Sequence, residues 1–318
     1  MIDFRYHLVS IVAIFLALAL GIILGSTTLS DSVTAGLKRE ANTAAKRNEA
    51  LRQEQSRLTA QTRGEEQFAR GLGAQVVEGR LKGQSVVLVE APGAGNDGLE
   101  KIGDLAKAAG ATVTGRVTIQ AKFLDAREGA TVDQLATQLR PPGVTFSGDT
   151  DAYEKAGVAL ASALVTRNAA QIGREDASGS AILTRFQQAG YLTLSGKPAQ
   201  HATLAVMVAP STPYTYTGGD AANKALLSVT GALDAAGRGA VVGGPQQAAQ
   251  EGGLITALRD SDMRKTVSAV DTADTASGQV VTILVLQNEL SGKSGQYGTG
   301  SDASGYLPSP APAAGKNG

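Results

Sequence analysis

Hydrophobic and polar positions divide the chain into four textures. Leu8–Gly25 (LVSIVAIFLALALGIILG) is apolar apart from Ser10, and no Asp, Glu, Lys or Arg occurs between Arg5 and Asp31. A helix of that length reaches ~27 Å at ~1.5 Å per residue, enough to cross a bilayer core with little tilt. Such a helix satisfies its own backbone hydrogen bonds in hydrocarbon. Phe4 and Tyr6, with Arg5 between them, sit where an interfacial belt would lie. A cleaved secretory signal is the competing reading. The run is longer than a typical signal core and no A-x-A-like site follows it, so residues 1–30 are predicted to be an uncleaved transmembrane anchor. Within it Ala13, Ala17, Gly21 and Gly25 recur every four residues, and Gly21 with Gly25 makes a GxxxG. Small residues on one face let a second helix approach closely, so these four are the candidate membrane-helix packing positions.

The second texture covers residues 31–82, with 10 basic and 7 acidic residues and no Pro. Leu37, Ala44, Leu51, Leu58 and Leu72 keep a seven-residue spacing interrupted once by Glu65. Placing these at d puts Ala41, Asn48, Gln55, Thr62 and Ala69 at a. Asn at a specifies a parallel two-stranded register at a cost in stability. A coiled-coil stalk is expected, dimerising through Leu37, Asn48, Leu51 and Leu58. The plainer alternative is a single solvated helix whose charges are its wet face. Gly64, Gly71 and Gly73 should loosen its far end.

From Ser85 the period becomes that of buried strands alternating with helices. SVVLVE (Ser85–Glu90), Ala111–Ile119, Thr203–Ala209, Gly239–Val242 and Val267–Val270 read as strands. Leu99–Ala109, Thr131–Leu139, Tyr153–Thr166, Ile182–Ala189, Ala221–Ala236, Leu254–Arg259 and a closing Gln279–Leu290 read as helices. Strands apolar on both faces, alternating with helices, predict an α/β domain over residues 83–290 with a mainly parallel sheet covered on both sides. From Ser291 the chain is rich in Gly, Ser, Ala and Pro, a composition that cannot bury a core. A disordered tail over residues 291–318 is the expectation.

Composition narrows the function classes. The 29 basic and 29 acidic residues cancel, which argues against nucleic acid as a partner. With no Cys, neither a disulfide nor a thiolate site is possible. Charges flanking the anchor orient it weakly, with Arg5 before it and Lys38 and Arg39 against Asp31 and Glu40 after it. A seven-residue lead is easily kept inside, so the bulk of the chain is expected on the extracytoplasmic side of the plasma membrane.

Candidate chemistry is sparse. Gly93, Gly95 and Gly98 form a G-x-G-x-x-G between strand and helix, the context of a dinucleotide loop. The acidic residue due after the second strand is replaced by Gln120-Ala121-Lys122, and Asp97 would repel a pyrophosphate. His201 is the one His outside the anchor region. Ser195 lies near it in sequence, but YLTLSGK is not a nucleophile elbow, so a loop histidine is expected. Asp260 with Asp262, and Asp271 with Asp274, pair carboxylates in predicted loops without EF-hand spacing. Copper prefers thiolate, thioether or imidazole ligands, and His7, His201, Met207 and Met263 form no local cluster. No catalytic centre, resident cofactor or metal site is therefore expected.

Two stretches carry a family resemblance. MIDFRYHLVSIVAIFLALALGIILGS at the start and VSAVDTADTASGQVVTILVLQNELSGKSGQYGTG (Val267–Gly300) resemble the ends of the actinobacterial MctB family, the copper transport outer membrane proteins. The order of anchor, coiled segment, α/β region and Gly-Tyr-Gly tail is similar over nearly the whole chain. The resemblance implies a cell-envelope protein tied to copper transport or copper resistance, with an outer-envelope placement suggested by the family name. It also implies an association with a SteA-like membrane partner at the division site. A pore through an outer membrane needs a closed barrel of alternating strands, whereas this pattern predicts an anchored α/β domain. The expected function therefore follows the family, with a dimeric coiled-coil scaffold for a partner in envelope assembly or division as the alternative.

Overall fold

The computed structural model describes residues 4–216 and 218–309. Helix α1 runs without a break over Phe4–Val77, so the predicted anchor and stalk are one helix. It passes through Gly64, Gly71 and Gly73 because no Pro interrupts its ladder. Side-chain pairs one turn apart, such as Gln53 with Glu49, Arg57 with Glu54 and Gln61 with Glu65, brace its exposed surface. The segment Arg5–Ser26 is long and apolar enough to span a membrane and none of it is buried within the protein.

The chain divides into two compact units, Met1–Glu65 and Glu66–Gly318. The last turns of α1 therefore belong with the sheet rather than with a stalk ending near Lys82. Val77 and the following Leu81 are fully buried, and a Cβ on Gly73 would lie 2.9 Å from Val280 Cγ2.

The sheet domain follows as β1 (Ser85–Glu90), α2 (Asn96–Ala108), β2 (Thr112–Ile119), α3 (Gly129–Gln138), α4 (Ala152–Leu164), α5 (Ala177–Gln188) and β3 (Leu192–Gly196). It continues with β4 (Leu204–Val208), α6 (Gly219–Ala236), β5 (Ala240–Gly243), α7 (Leu254–Arg259), β6 (Ser268–Val270), α8 (Ala276–Glu289) and β7 (Gln296–Tyr297). The strand order is β3-β2-β1-β4-β5-β6-β7. Every pairing is parallel except β2 with β3. The order reverses between β1 and β4, which pair Leu88 with Val206. Each central strand is apolar at consecutive positions because both faces are covered. Val87, Val89, Ala205, Met207 and Val242 join the core that includes residues of α3 to α7. Val86, Leu88, Leu204, Val206 and Val241 join the core that includes residues of α2 and α8.

The expected elements need correction at four points. YLTLSGK, which is not among the expected strands, contains the antiparallel edge strand β3, with Leu194 opposite Val117. The tail is not disordered from Ser291: β7 extends the sheet beside β6, and Tyr297 bridges to Gly305. The reason is electrostatic. The buried Asp271 carboxylate accepts hydrogen bonds from the Thr299 N–H at 2.7 Å and the Gly300 N–H at 3.0 Å. Buried Arg259 donates to the same carboxylate at 2.9 Å and to the Tyr297 carbonyl at 3.2 Å. Gly298 has φ +129°, and a Cβ there would fall 1.8 Å from Asp271 Oδ1, so only glycine fits. The part of the expected tail beyond Ser309 lies outside the described residues. Helix α8 begins three residues earlier than expected, at Ala276, because Thr275 caps it by accepting from the Gly278 N–H. It is also not the closing element, since β7 follows it.

Candidate functional site

At the carboxyl ends of β1, β4 and β5 lies a cleft of about 500 Å³. It sits at the reversal of strand order, where open α/β sheets bind ligands because adjacent connections leave on opposite faces. Its floor is apolar, formed by Ile102 of α2, Val208 of β4, Ala209 and Ala273. One wall is backbone. Gly95 is the N-terminal cap residue of α2, and a Cβ there would approach Ser211 Oγ to 3.3 Å, while one on Gly244 would meet Ala209 Cβ at 2.8 Å. The polar side chains on its lining are Ser211 and Thr212 from the loop after β4, Gln247 from the turn after β5, and Asp274 from the loop before α8.

The charge of this cleft is acidic. Burial raises the Asp274 carboxyl above the ordinary range, and the carboxylates of Glu66 and Asp271 push it the same way. Glu66 itself accepts from the Ala276 N–H at 3.0 and 3.2 Å, which occupies the first turn of α8. Among the described residues no Lys, Arg or His lines the cleft.

Of the residues singled out in the sequence, Gly93 and Gly95 do shape a strand-to-helix turn at this cleft, with Gly93 at φ +83° and its carbonyl accepting from the Ser211 N–H. The residue after β2 is Gln120, whose amide is engaged by Thr118 and Thr193. His201 lies in a loop, as expected, but not in solvent. It is buried, with Nδ1 2.9 Å from the Arg174 carbonyl, Nε2 3.0 Å from the Ser162 carbonyl and 3.5 Å from Asp176 Oδ2. One ring N–H can donate to a backbone carbonyl, and Ser195 pairs in β3 against Arg116. Asp271 and Asp274 separate in role, one clasping the tail and the other facing the cleft. Met207 is fully buried in β4, and Met263 packs on the core. Among the described residues no three His, Cys, Asp or Glu side chains gather as a metal cage would require.

In the first unit, Ala13, Ala17, Gly21 and Gly25 are exposed on the apolar segment, and nothing approaches the Cα positions of Gly21 and Gly25 within Cβ contact distance. Leu37, Leu51 and Leu58 are likewise exposed, as is Asn48.

These features define a doubly wound α/β protein with a long N-terminal helix whose opening segment is apolar enough to span a membrane. The chain belongs to the MctB family: the profile of "Copper transport outer membrane protein, MctB" matches residues 1–308. It is similar to the copper transporter MctB of Mycobacterium tuberculosis, 28% identical over 95% of this chain and 98% of the relative. The Mycobacterium leprae copper transporter MctB is 30% identical over the same shares. Family membership supports a copper-related role. The seven strands nevertheless form an open sheet with β3 and β7 at its edges.

Proposed function

We propose that the protein is a single-pass envelope protein, anchored by Leu8–Gly25 with its N-terminus inside, that serves copper transport or tolerance by organising a membrane partner. In this reading it neither ligates nor conducts the ion. The observation that carries it is the donor set. Copper needs two or more soft or imidazole ligands in one sphere, yet His201 is buried with its ring nitrogens facing backbone carbonyls and Met207 lies inside the sheet. One apolar helix per chain lines no pore, while its small-residue face suits a helix partner. A SteA-like membrane protein fits that role.

The dimeric stalk extends this reading. Leu37, Leu51 and Leu58 are exposed at heptad spacing, and a second copy would cover them as d residues.

Equilibrium dialysis of the detergent-solubilised full-length protein with Cu(I) and Cu(II) tests the first point. The expectation is no difference between the native protein and His201→Ala or Met263→Leu. A stoichiometric, sub-micromolar site lost on His201→Ala would overturn it. Pull-down from native envelope tests the second: recovery of copper-transport pumps alone, with no membrane scaffold or division protein, would favour a direct transport role.

A further inference from the structure

We infer that the cleft at the carboxyl ends of β1, β4 and β5 is a binding site for a small, uncharged, hydroxyl-rich molecule of saccharide type. Its volume of about 500 Å³ falls in the usual range for small-ligand sites, roughly 300–1,000 Å³. The reversal of strand order supplies the opening.

The lining selects the chemistry. Ser211, Thr212 and Gln247 each both donate and accept, which is the requirement for pairing with hydroxyl groups that do the same. Asp274 places a carboxyl among these groups, and its oxygens can accept hydrogen bonds from ligand hydroxyls. Ile102 and Val208 offer an apolar floor for the C–H face of a ring. The backbone wall lets a ligand approach closely. The same lining rejects other classes. A nucleotide or phosphate would meet the acidic group with no cation to offset it. Copper would find no imidazole, thiolate or thioether.

Saturation-transfer NMR on the full-length protein in detergent micelles tests this, using glucose, N-acetylglucosamine and maltose as probes, with AMP and inorganic phosphate as charged controls. The expected result is saturable transfer to at least one saccharide and none to the charged controls. Ser211→Trp, at an exposed rim position, should abolish the signal by filling the opening. Gln247→Ala should weaken binding about five-fold, the size of one neutral hydrogen bond. His201→Ala, away from this cleft, should leave it unchanged. Absence of saturable binding by every saccharide would overturn the inference. So would binding that Gln247→Ala and Ser211→Trp both leave intact, or tighter competing binding of AMP. Should Ser211→Trp fail to fold, Gln247→Ala alone decides, since that side chain is exposed.

Discussion

Leu16, Leu37 and Leu51 in the first unit are 65%, 61% and 70% exposed, whereas Leu99, Leu204 and Leu233 in the sheet domain are at 0%. The residue type is the same and the surroundings are opposite. In the domain each apolar side chain is matched by others of the same chain, so its burial of ~1.5–3 kcal/mol per large side chain is collected internally. In the helix the same benefit requires something outside the chain. For Leu8–Gly25, in the proposed anchor, that would be hydrocarbon, which asks only for length and the absence of charge. For Leu37, Leu51 and Leu58, among charged neighbours, a matching surface is needed, which in the proposed dimer a second copy would supply. The domain should therefore respond to substitutions in its own stability, and the helix in its location and association.

The largest effect is expected inside the domain. Asp271→Ala leaves Arg259 buried without its partner and strips the acceptor from two tail N–H groups. Breaking a buried pair in this way costs about 3–5 kcal/mol. Urea unfolding of the full-length protein in detergent should show this loss, with trypsin cutting at Lys293 before global unfolding. Membrane association should be unaffected. A variant as stable as the native protein would mean that the tail clasp contributes nothing.

In the helix, Leu16→Arg places a charge at the middle of the apolar segment. Insertion should weaken by about 2.5–3.5 kcal/mol, and flotation of membranes should move a large share of the protein to the soluble fraction. The melting of the sheet domain should stay where it was. Full retention in the membrane fraction would contradict the anchor.

A smaller, pH-dependent effect belongs to Glu289 at the end of α8. Burial pushes its carboxyl from 4.5 up to about 8; nearby Asp234 adds to this and the Ser268 hydroxyl opposes it. The folded state thus holds this proton more tightly than the unfolded one. Its contribution to stability is full below pH 4.5 and is lost as pH rises from about 4.5 to about 8. Glu289→Gln cannot titrate and keeps an acceptor for Ser268. Its melting temperature should match the native protein near pH 4 and exceed it at pH 8. Equal differences at both pH values would show that the carboxyl ionises freely.

The same contrast explains what could be read from the chain. SVVLVE and TLAVMVA announce buried parallel strands because their apolar runs are local, and the order of helices follows from the periods between them. β3 was hidden because LTLSG has one buried end and an exposed edge, so its pattern is too weak for a core strand. β7 was hidden for a different reason. Its hold is a carboxylate some 28 residues upstream of Thr299, and Gly-rich composition resembles disorder unless that partner is known. The cleft was half visible: Gly93 and Gly95 mark the turn, but Ser211, Gln247 and Asp274 come from three separate loops that only the sheet order brings together. The burial of His201 was likewise invisible, because both of its partners are carbonyls, which carry no sequence signal.

The smallest effect sharpens the helix side of the comparison. Asn48 occupies an a position one turn before Leu51, and both are exposed on α1. In a parallel dimer, a buried Asn fixes register and costs stability. Asn48→Leu should then tighten the dimer several-fold and admit higher oligomers, read by sedimentation of the detergent-solubilised full-length chain. On a single solvated helix the same change only adds an exposed leucine, and sedimentation would not move. Leu51→Cys provides the independent reading, because the native chain has no Cys. Under mild oxidation, two parallel helices in register bring the two Leu51→Cys sulfurs together and give one disulfide-linked species at twice the mass. An antiparallel pairing would link Leu51→Cys poorly, and a solitary helix would give only slow, concentration-dependent coupling. Lack of cross-linking at this position, together with an unchanged Asn48→Leu variant, would leave the exposed leucines to be covered by a different partner.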